Sequence, residues 1–192
     1  MISIRKEFLE AQEVLNSFIA DENNFLAIEK AGSLIVEAFK NKSKIISCGN
    51  GGSMCDAMHL AEEFSGRFRS DRPPLPAIAI SDPSYISCVT NDFGAESVFS
   101  RYLEGIGFEG DIFIAISTSG NSINVVNAAK VARGKGMKVI ALTGKKGGSL
   151  NSFADVEIRA PYSKYADRVQ EIHLKVIHSL IYYVESKLFF SD

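Results

Sequence analysis

Long hydrophobic runs, paired cysteines and an excess of either charge are all missing from this chain of 192 residues. Its three cysteines, Cys48, Cys55 and Cys88, form no CxxC pair, and their odd number argues against a disulfide framework. Reduced thiols are expected, with Cys48 a small buried hydrophobe at the end of an apolar run. The formal net charge is only −2, so no overall basic field exists to attract nucleic acid or anionic lipid. The most apolar late stretch, 176–190, is broken by His178, Glu185 and Lys187 and is too short and polar for a membrane span. The first ten residues mix charges with apolar positions and lack the hydrophobic run of an export signal. A cytoplasmic protein without nucleic-acid or membrane partners is the expectation.

What is present is an ordinary globular composition, 46 % hydrophobic and 23 % charged, in a length that suits one domain over 1–192. Phe8, Leu9, Val14, Leu15, Phe18 and Ile19 recur at helical spacing and form one apolar stripe. A second helix is read over about 25–39, broken at 41–43. The chain then alternates. Strands are expected at 44–48, 77–80, 111–116, 137–142 and 156–158. Helices are expected from an N-cap at Ser53 to about Phe64, over 122–135, and from 165 to about 188. Short, continuously apolar strands separated by helices predict an α/β fold. Its core is a three-layer, doubly wound, parallel five-stranded sheet preceded by N-terminal helices. Ligands of such sheets sit at the carboxyl ends of the strands.

Two loops fall there. Ser117-Thr118-Ser119-Gly120-Asn121-Ser122 puts four hydroxyl residues in six at a strand-to-helix turn, more than capping the helix requires. Free amides and the helix dipole favour an anion at such a place. Cys48-Gly49-Asn50-Gly51-Gly52-Ser53 occupies the same kind of position. Gly49 and Gly51 match the first two spacings of a dinucleotide fingerprint, but Met54 stands where the third glycine belongs. Dinucleotide binding is therefore the weaker reading, and a phosphate held between two loops the stronger.

His59 and Glu63, four apart on one helix face, can share a metal or a proton, or form a surface pair. The last helix carries Asp167, Arg168, Gln170, Glu171, His173 and His178 among apolar residues, as expected of a helix in the core or between subunits. Gln170 and His178 lie about 12 Å apart along a straight helix. A single metal reaches both only if their side chains stretch toward each other or the helix is irregular.

Four segments, SCGNGGSMCDAMHLAEEFSGRF (47–68), AISDPSYISCVTNDFG (79–94), ISTSGNS (116–122) and YADRVQEIHLKVIH (165–178), together resemble the phosphoheptose isomerase branch of the sugar-isomerase (SIS) fold. The resemblance covers nearly the whole chain. It implies a flavodoxin-like sheet in residues 42–192 and a helical oligomerisation segment in 1–41. The implied reaction is conversion of sedoheptulose 7-phosphate to D-glycero-D-manno-heptose 7-phosphate, on the way to heptose in lipopolysaccharide or related glycans. It further implies a homotetramer with one zinc ion per subunit on His59, Glu63, Gln170 and His178. Substrate contacts would come from Asn50, Gly51, Gly52, Glu63, Asn91, Asp92, Ser117, Thr118, Ser119, Ser122 and Gln170, with Ser53, Arg67 and Asp167 as secondary site residues. Glu63 and His178 would be the catalytic base and acid. Met54 departs from relatives that often carry histidine there. A non-catalytic SIS-fold sugar-phosphate binder or protein-interaction factor is the alternative, and the retained His59, Glu63, Gln170 and His178 speak against it.

Overall fold

Two helices, α1 (Ile4–Ile19) and α2 (Glu22–Lys40), lead the chain in a computed structural model that describes residues 3–190. The Asp21 carboxylate caps α2 by accepting from the Asn23 amide at 3.0 Å. After α2, Lys42 takes the left-handed conformation at φ 62°, which ends the helix and turns the chain into the sheet. The strands are β1 (Ile45–Cys48), β2 (Ala77–Ala79), β3 (Ile112–Ser117), β4 (Lys138–Thr143) and β5 (Val156–Arg159). They pair in the order β2-β1-β3-β4-β5, every pair parallel. This is a doubly wound sheet, as the apolar strand pattern predicts.

Alternate strand residues serve two cores. Ile45, Ile112, Ile114, Ile116, Ile140 and Leu142 face one side. There α2, α3 (Gly52–Ser65) and α7 (Ala166–Phe189) cover them. Ile46, Cys48, Phe113, Ala115, Val139 and Ala141 face the other. That side is covered by α4 (Pro83–Phe93), α5 (Val98–Ile106) and α6 (Ile123–Gly134). Cys48 is fully buried, as read, while Cys55 and Cys88 are exposed. Met54 turns its side chain onto the second core rather than into the loop beside it.

Three expectations are corrected. Ser53 is not the cap of α3: Gly51, at φ 56°, is the N-cap, and Ser53 is a buried residue of the first turn. The α1 stripe does not turn inward as a whole. Only Phe18 is buried and Val14 and Leu15 are partly covered, whereas Phe8 is 73 % exposed and Leu9 and Ile19 are open as well. Residues 81–110, left without elements by the sequence reading, form α4, a short 3-10 turn and α5. Asp82 caps α4 by accepting from the Tyr85 amide at 2.7 Å, with Pro83 in the first turn.

Candidate active site

β1 and β3 are neighbours, and the chain leaves β1 toward one sheet edge and β3 toward the other. The crevice between their carboxyl ends is the switch point of the sheet, where doubly wound proteins hold ligands. Both loops singled out in the sequence open into it. Asn50 and Asn124 join them by a reciprocal amide pair, Asn50 Nδ2 to Asn124 Oδ1 at 2.9 Å and Asn124 Nδ2 to Asn50 Oδ1 at 3.0 Å. Asn124 escaped the sequence reading, because a residue in the first turn of a helix carries no signal that it faces a loop 74 positions away.

The hydroxyls of the second loop are not spent on capping. Ser122, the N-cap of α6, makes no side-chain cap bond, and the Ser117 hydroxyl lies 3.0 Å from that of Ser122 and 3.5 Å from that of Ser119. Ser119 accepts from the Asn121 amide at 3.1 Å. The first turn of α3 likewise has no side-chain cap. The Ser53, Met54 and Val125 amides bond within their own turns, and the rest of the two helix N-termini flank a row of hydroxyls, a cradle for an anion built without a formal positive charge.

From this cradle α3 and α7 run side by side in the same direction. Gly52 packs on Gln170 so closely that a methyl group on Gly52 would sit 2.4 Å from the Gln170 amide nitrogen. Two turns further on, His59 meets His178 with Nε2 atoms 2.9 Å apart and rings in edge contact. His59 Nε2 is 3.5 Å from Glu63 Oε1, and its Nδ1 is 3.3 Å from Glu62 Oε2. One ligand atom each from His59, Glu63 and His178 lies within 4.8 Å of the others. Both carboxylates only accept, so Glu62 favours the His59 proton on Nδ1 and Glu63 favours it on Nε2, while the contact with His178 takes a proton on one of the two Nε2 atoms. A cation could replace that shared proton among the three groups, and two imidazoles with a carboxylate suit zinc. The donor set fits the metal.

Environment shifts both candidate catalytic groups. Burial raises the Glu63 carboxyl above its usual range, Glu62 adds to this, His59 pulls the other way, and Glu185 and Arg72 act more weakly up and down. Burial lowers the His178 imidazole, and His59, Lys175 and Arg69 push it further down. His178 is thus held neutral, with Phe68 against its ring.

The remaining predicted residues divide. Gly51, Gly52 and Asn50 rim the first loop and are exposed, and Ser117, Thr118, Ser119 and Ser122 form the second. Gln170 is partly buried beside Gly52, at the loop end of the helix pair rather than in the His–Glu–His cluster. Asn91 and Asp92 are exposed on the last turn of α4, bonded to each other at 2.7 Å; among the described residues no hydrogen bond ties them to either loop. Arg67 and Asp167 are exposed. Ser53 is buried beneath the first loop.

Arg72 is a second residue the sequence reading passed over. Fully buried, it donates to the carbonyls of Glu63 (2.7 Å), Phe64 (2.7 Å), Gly66 (2.9 Å) and Pro73 (3.2 Å) and pairs with Glu185 at 2.8 Å. It closes the C-terminal end of α3 and fastens it to α7, which fixes the turn that carries Glu63. An arginine in a proline-rich connection gives no hint of this, since its partners are backbone carbonyls.

A family model described as SIS domain matches residues 8–144. The phosphoheptose isomerase of Glaesserella parasuis serovar 5 is 60 % identical over 182 residues, 95 % of each chain. This chain belongs to the phosphoheptose isomerase family. Solved structures agree with the membership. Phosphoheptose isomerase GmhA from Neisseria gonorrhoeae superposes with a TM-score of 0.88 at 35 % identity, covering 95 % of this chain and 97 % of its own. The phosphoheptose isomerase from Francisella tularensis gives 0.90 at 34 % identity, covering 95 % and 96 %. The family's shared fold accounts for the five-stranded parallel sheet. Among the described residues no helix is long and apolar enough to cross a membrane.

Proposed function

We propose that the protein isomerises sedoheptulose 7-phosphate to D-glycero-D-manno-heptose 7-phosphate through an enediol, supplying heptose precursors for lipopolysaccharide or related glycans in the cytoplasm. One observation carries the reading: the cradle and the His59–Glu63–His178 cluster lie on one pair of helices, Gly52 beside Gln170 and His59 beside His178. Seven residues of helix separate the two ends, on the order of 10 Å, and an open seven-carbon chain with its phosphate extended spans a similar length. With phosphate on Ser117, Thr118, Ser119, Ser122 and the amides of Gly51 and Gly52, the carbonyl end arrives at the cluster.

Glu63, made more basic by burial, removes a proton from C1 while the N–H of the neutral His178 ring donates to the oxygen on C2. The proton is returned to C2 of the enediol as the C1 hydroxyl gives its own back to His178. Asn50, Asn91, Asp92 and Gln170 would orient the hydroxyls between the ends, with Ser53, Arg67 and Asp167 in support. His59, Glu63 and His178 would hold one zinc ion per subunit, and Gln170 would join them as fourth ligand only by leaving its place beside Gly52; bound there, the ion would polarise substrate oxygens. A homotetramer, with 1–41 as an oligomerisation segment ahead of an α/β core in 42–192, is supported by the apolar side chains left open on α1 and by exposed Met58 on α3 and Leu174 and Tyr182 on α7.

The test is incubation of the purified protein with sedoheptulose 7-phosphate while aldose formation is followed. Glu63→Gln should lose turnover and keep phosphate binding; a fully active variant rejects Glu63 as the base. Metal analysis of the dialysed protein should return about one zinc per chain and a His59→Gln variant well below that. Equal metal content in the two would reject the ligand assignment.

A further inference from the structure

The loop after β4, Gly144-Lys145-Lys146-Gly147-Gly148-Ser149, has no part in the site so far. It is built against the serine loop. Gly120 O accepts from the Leu150 amide at 2.9 Å and Asn121 Oδ1 from the Ser149 amide at 2.9 Å. A methyl group on Gly120 would lie 1.8 Å from the Gly147 carbonyl oxygen. No side chain fits between the two backbones, so the two loops form one wall.

At the tip of this wall, Lys145 holds a left-handed backbone at φ 52°, a conformation disfavoured for a residue with a Cβ. Lys145 and Lys146 are exposed and line a cavity of about 450 Å³ together with Ser119, Asn121, Gly148 and Tyr162. Among the described residues neither lysine has a carboxylate partner, although ion pairs form close by in the chain at Glu157–Arg159 and Lys138–Asp155. The serine loop itself carries no charge from Ser117 to Asn124. A dianion bound there by hydroxyls and amides alone leaves its charge uncompensated, while two unpaired cations share a cavity with Ser119.

We propose that Lys145 and Lys146 are the cationic rim of the phosphate end of the site: they draw the phosphate dianion to the serine loop and set affinity for anionic substrates without touching the reacting carbons. The proposal rests on the reading that the serine loop holds phosphate. Such a rim acts through long-range attraction, which salt screens within about 10 Å at 0.1 M ionic strength.

The experiment uses the full chain with Lys145→Ala/Lys146→Ala, and Lys145→Arg/Lys146→Arg as the charge-preserving control. At low ionic strength the alanine variant should raise KM for sedoheptulose 7-phosphate roughly 5- to 10-fold with kcat within about 2-fold, and the gap should close in 0.5 M NaCl. The arginine variant should behave as wild type. Calorimetric titration with inorganic phosphate should show the same weakening and the same salt dependence. Unchanged KM and phosphate affinity in the alanine variant overturn the proposal and leave the isomerase reading standing, as does a fall in kcat at unchanged KM. If the wild type turns over no sugar phosphate, the isomerase reading fails and the phosphate titration alone decides, with no binding by the wild type counting against the rim.

Discussion

Two buried side chains, Asp56 and His173, each leave a polar atom without a partner: Asp56 Oδ2 and His173 Nδ1. His173 Nε2 lies 2.8 Å from the Thr143 carbonyl, which only accepts, so Nε2 carries the proton and pins α7 to the end of β4. Burial lowers the imidazole to about 4, opposed by that hydrogen bond. Burial also raises the Asp56 carboxyl to about 6, with His59 pulling it down. The two act oppositely on stability over one pH range. Between about pH 4 and 6 the folded chain keeps an Asp56 proton that the unfolded chain has lost, so Asp56 weakens the fold as pH rises. Between about 6.5 and 4 the unfolded chain takes up a His173 proton that the folded chain refuses, so His173 weakens the fold as pH falls. Asp56→Asn should therefore raise Tm at pH 7.5 by roughly 2–6 °C and uncover a fall in stability from pH 6.5 to 4 that the wild type largely masks. Thermal unfolding in chelator across that range measures both; a Tm unchanged at pH 7.5 would mean that Asp56 is solvated or paired in solution. Neither environment could be read beforehand: a helical histidine among apolar residues says that it is buried, but not which carbonyl it meets.

At the scale of elements, Arg72 ties three pieces together, the end of α3, the connection to β2, and Glu185 on α7. Glu185 is almost fully enclosed, so Arg72→Met leaves a buried carboxylate unpaired as well as bare helix carbonyls. Stability should drop by about 3–5 kcal/mol, seen as a lower urea midpoint at unchanged m-value. Activity should fall at temperatures where the variant is still folded, because the turn bearing Glu63 loses its anchor; an active variant of wild-type stability contradicts both. The strands, α3, α6, α7 and both loops were legible within a residue or two because apolar runs and glycine–serine turns are local signals. The region 81–110 was not, since α4 and α5 are half-exposed helices with short, mixed patterns. The Asn50–Asn124 pair and the α3–α7 register are products of tertiary packing, and only resemblance to a family had linked residues as distant as His59 and His178.

For the whole molecule, α1 is the telling part. Ile4 and Phe8 are 67 % and 73 % exposed on a helix that also leaves Leu9 and Ile19 open and sets only Val14, Leu15 and Phe18 against the chain, an expensive arrangement for an isolated subunit. Light scattering should give four times the chain mass for the wild type, and Phe8→Glu should shift it to smaller species. A monomeric wild type, or an unaltered assembly in the variant, removes α1 from the interface. A different consequence follows from the parallel course of α3 and α7. Because helices do not stretch, the distance from Gly52 to His59 is a rigid gauge of ligand length. A five-carbon ketose phosphate anchored by its phosphate falls short of Glu63 by about 2–3 Å, far beyond the misplacement that already costs a factor of about 100 in rate. If the cradle holds phosphate as proposed, such a sugar should occupy it without reacting, so shorter metabolites that share the same phosphate should act as competitors rather than as fuel.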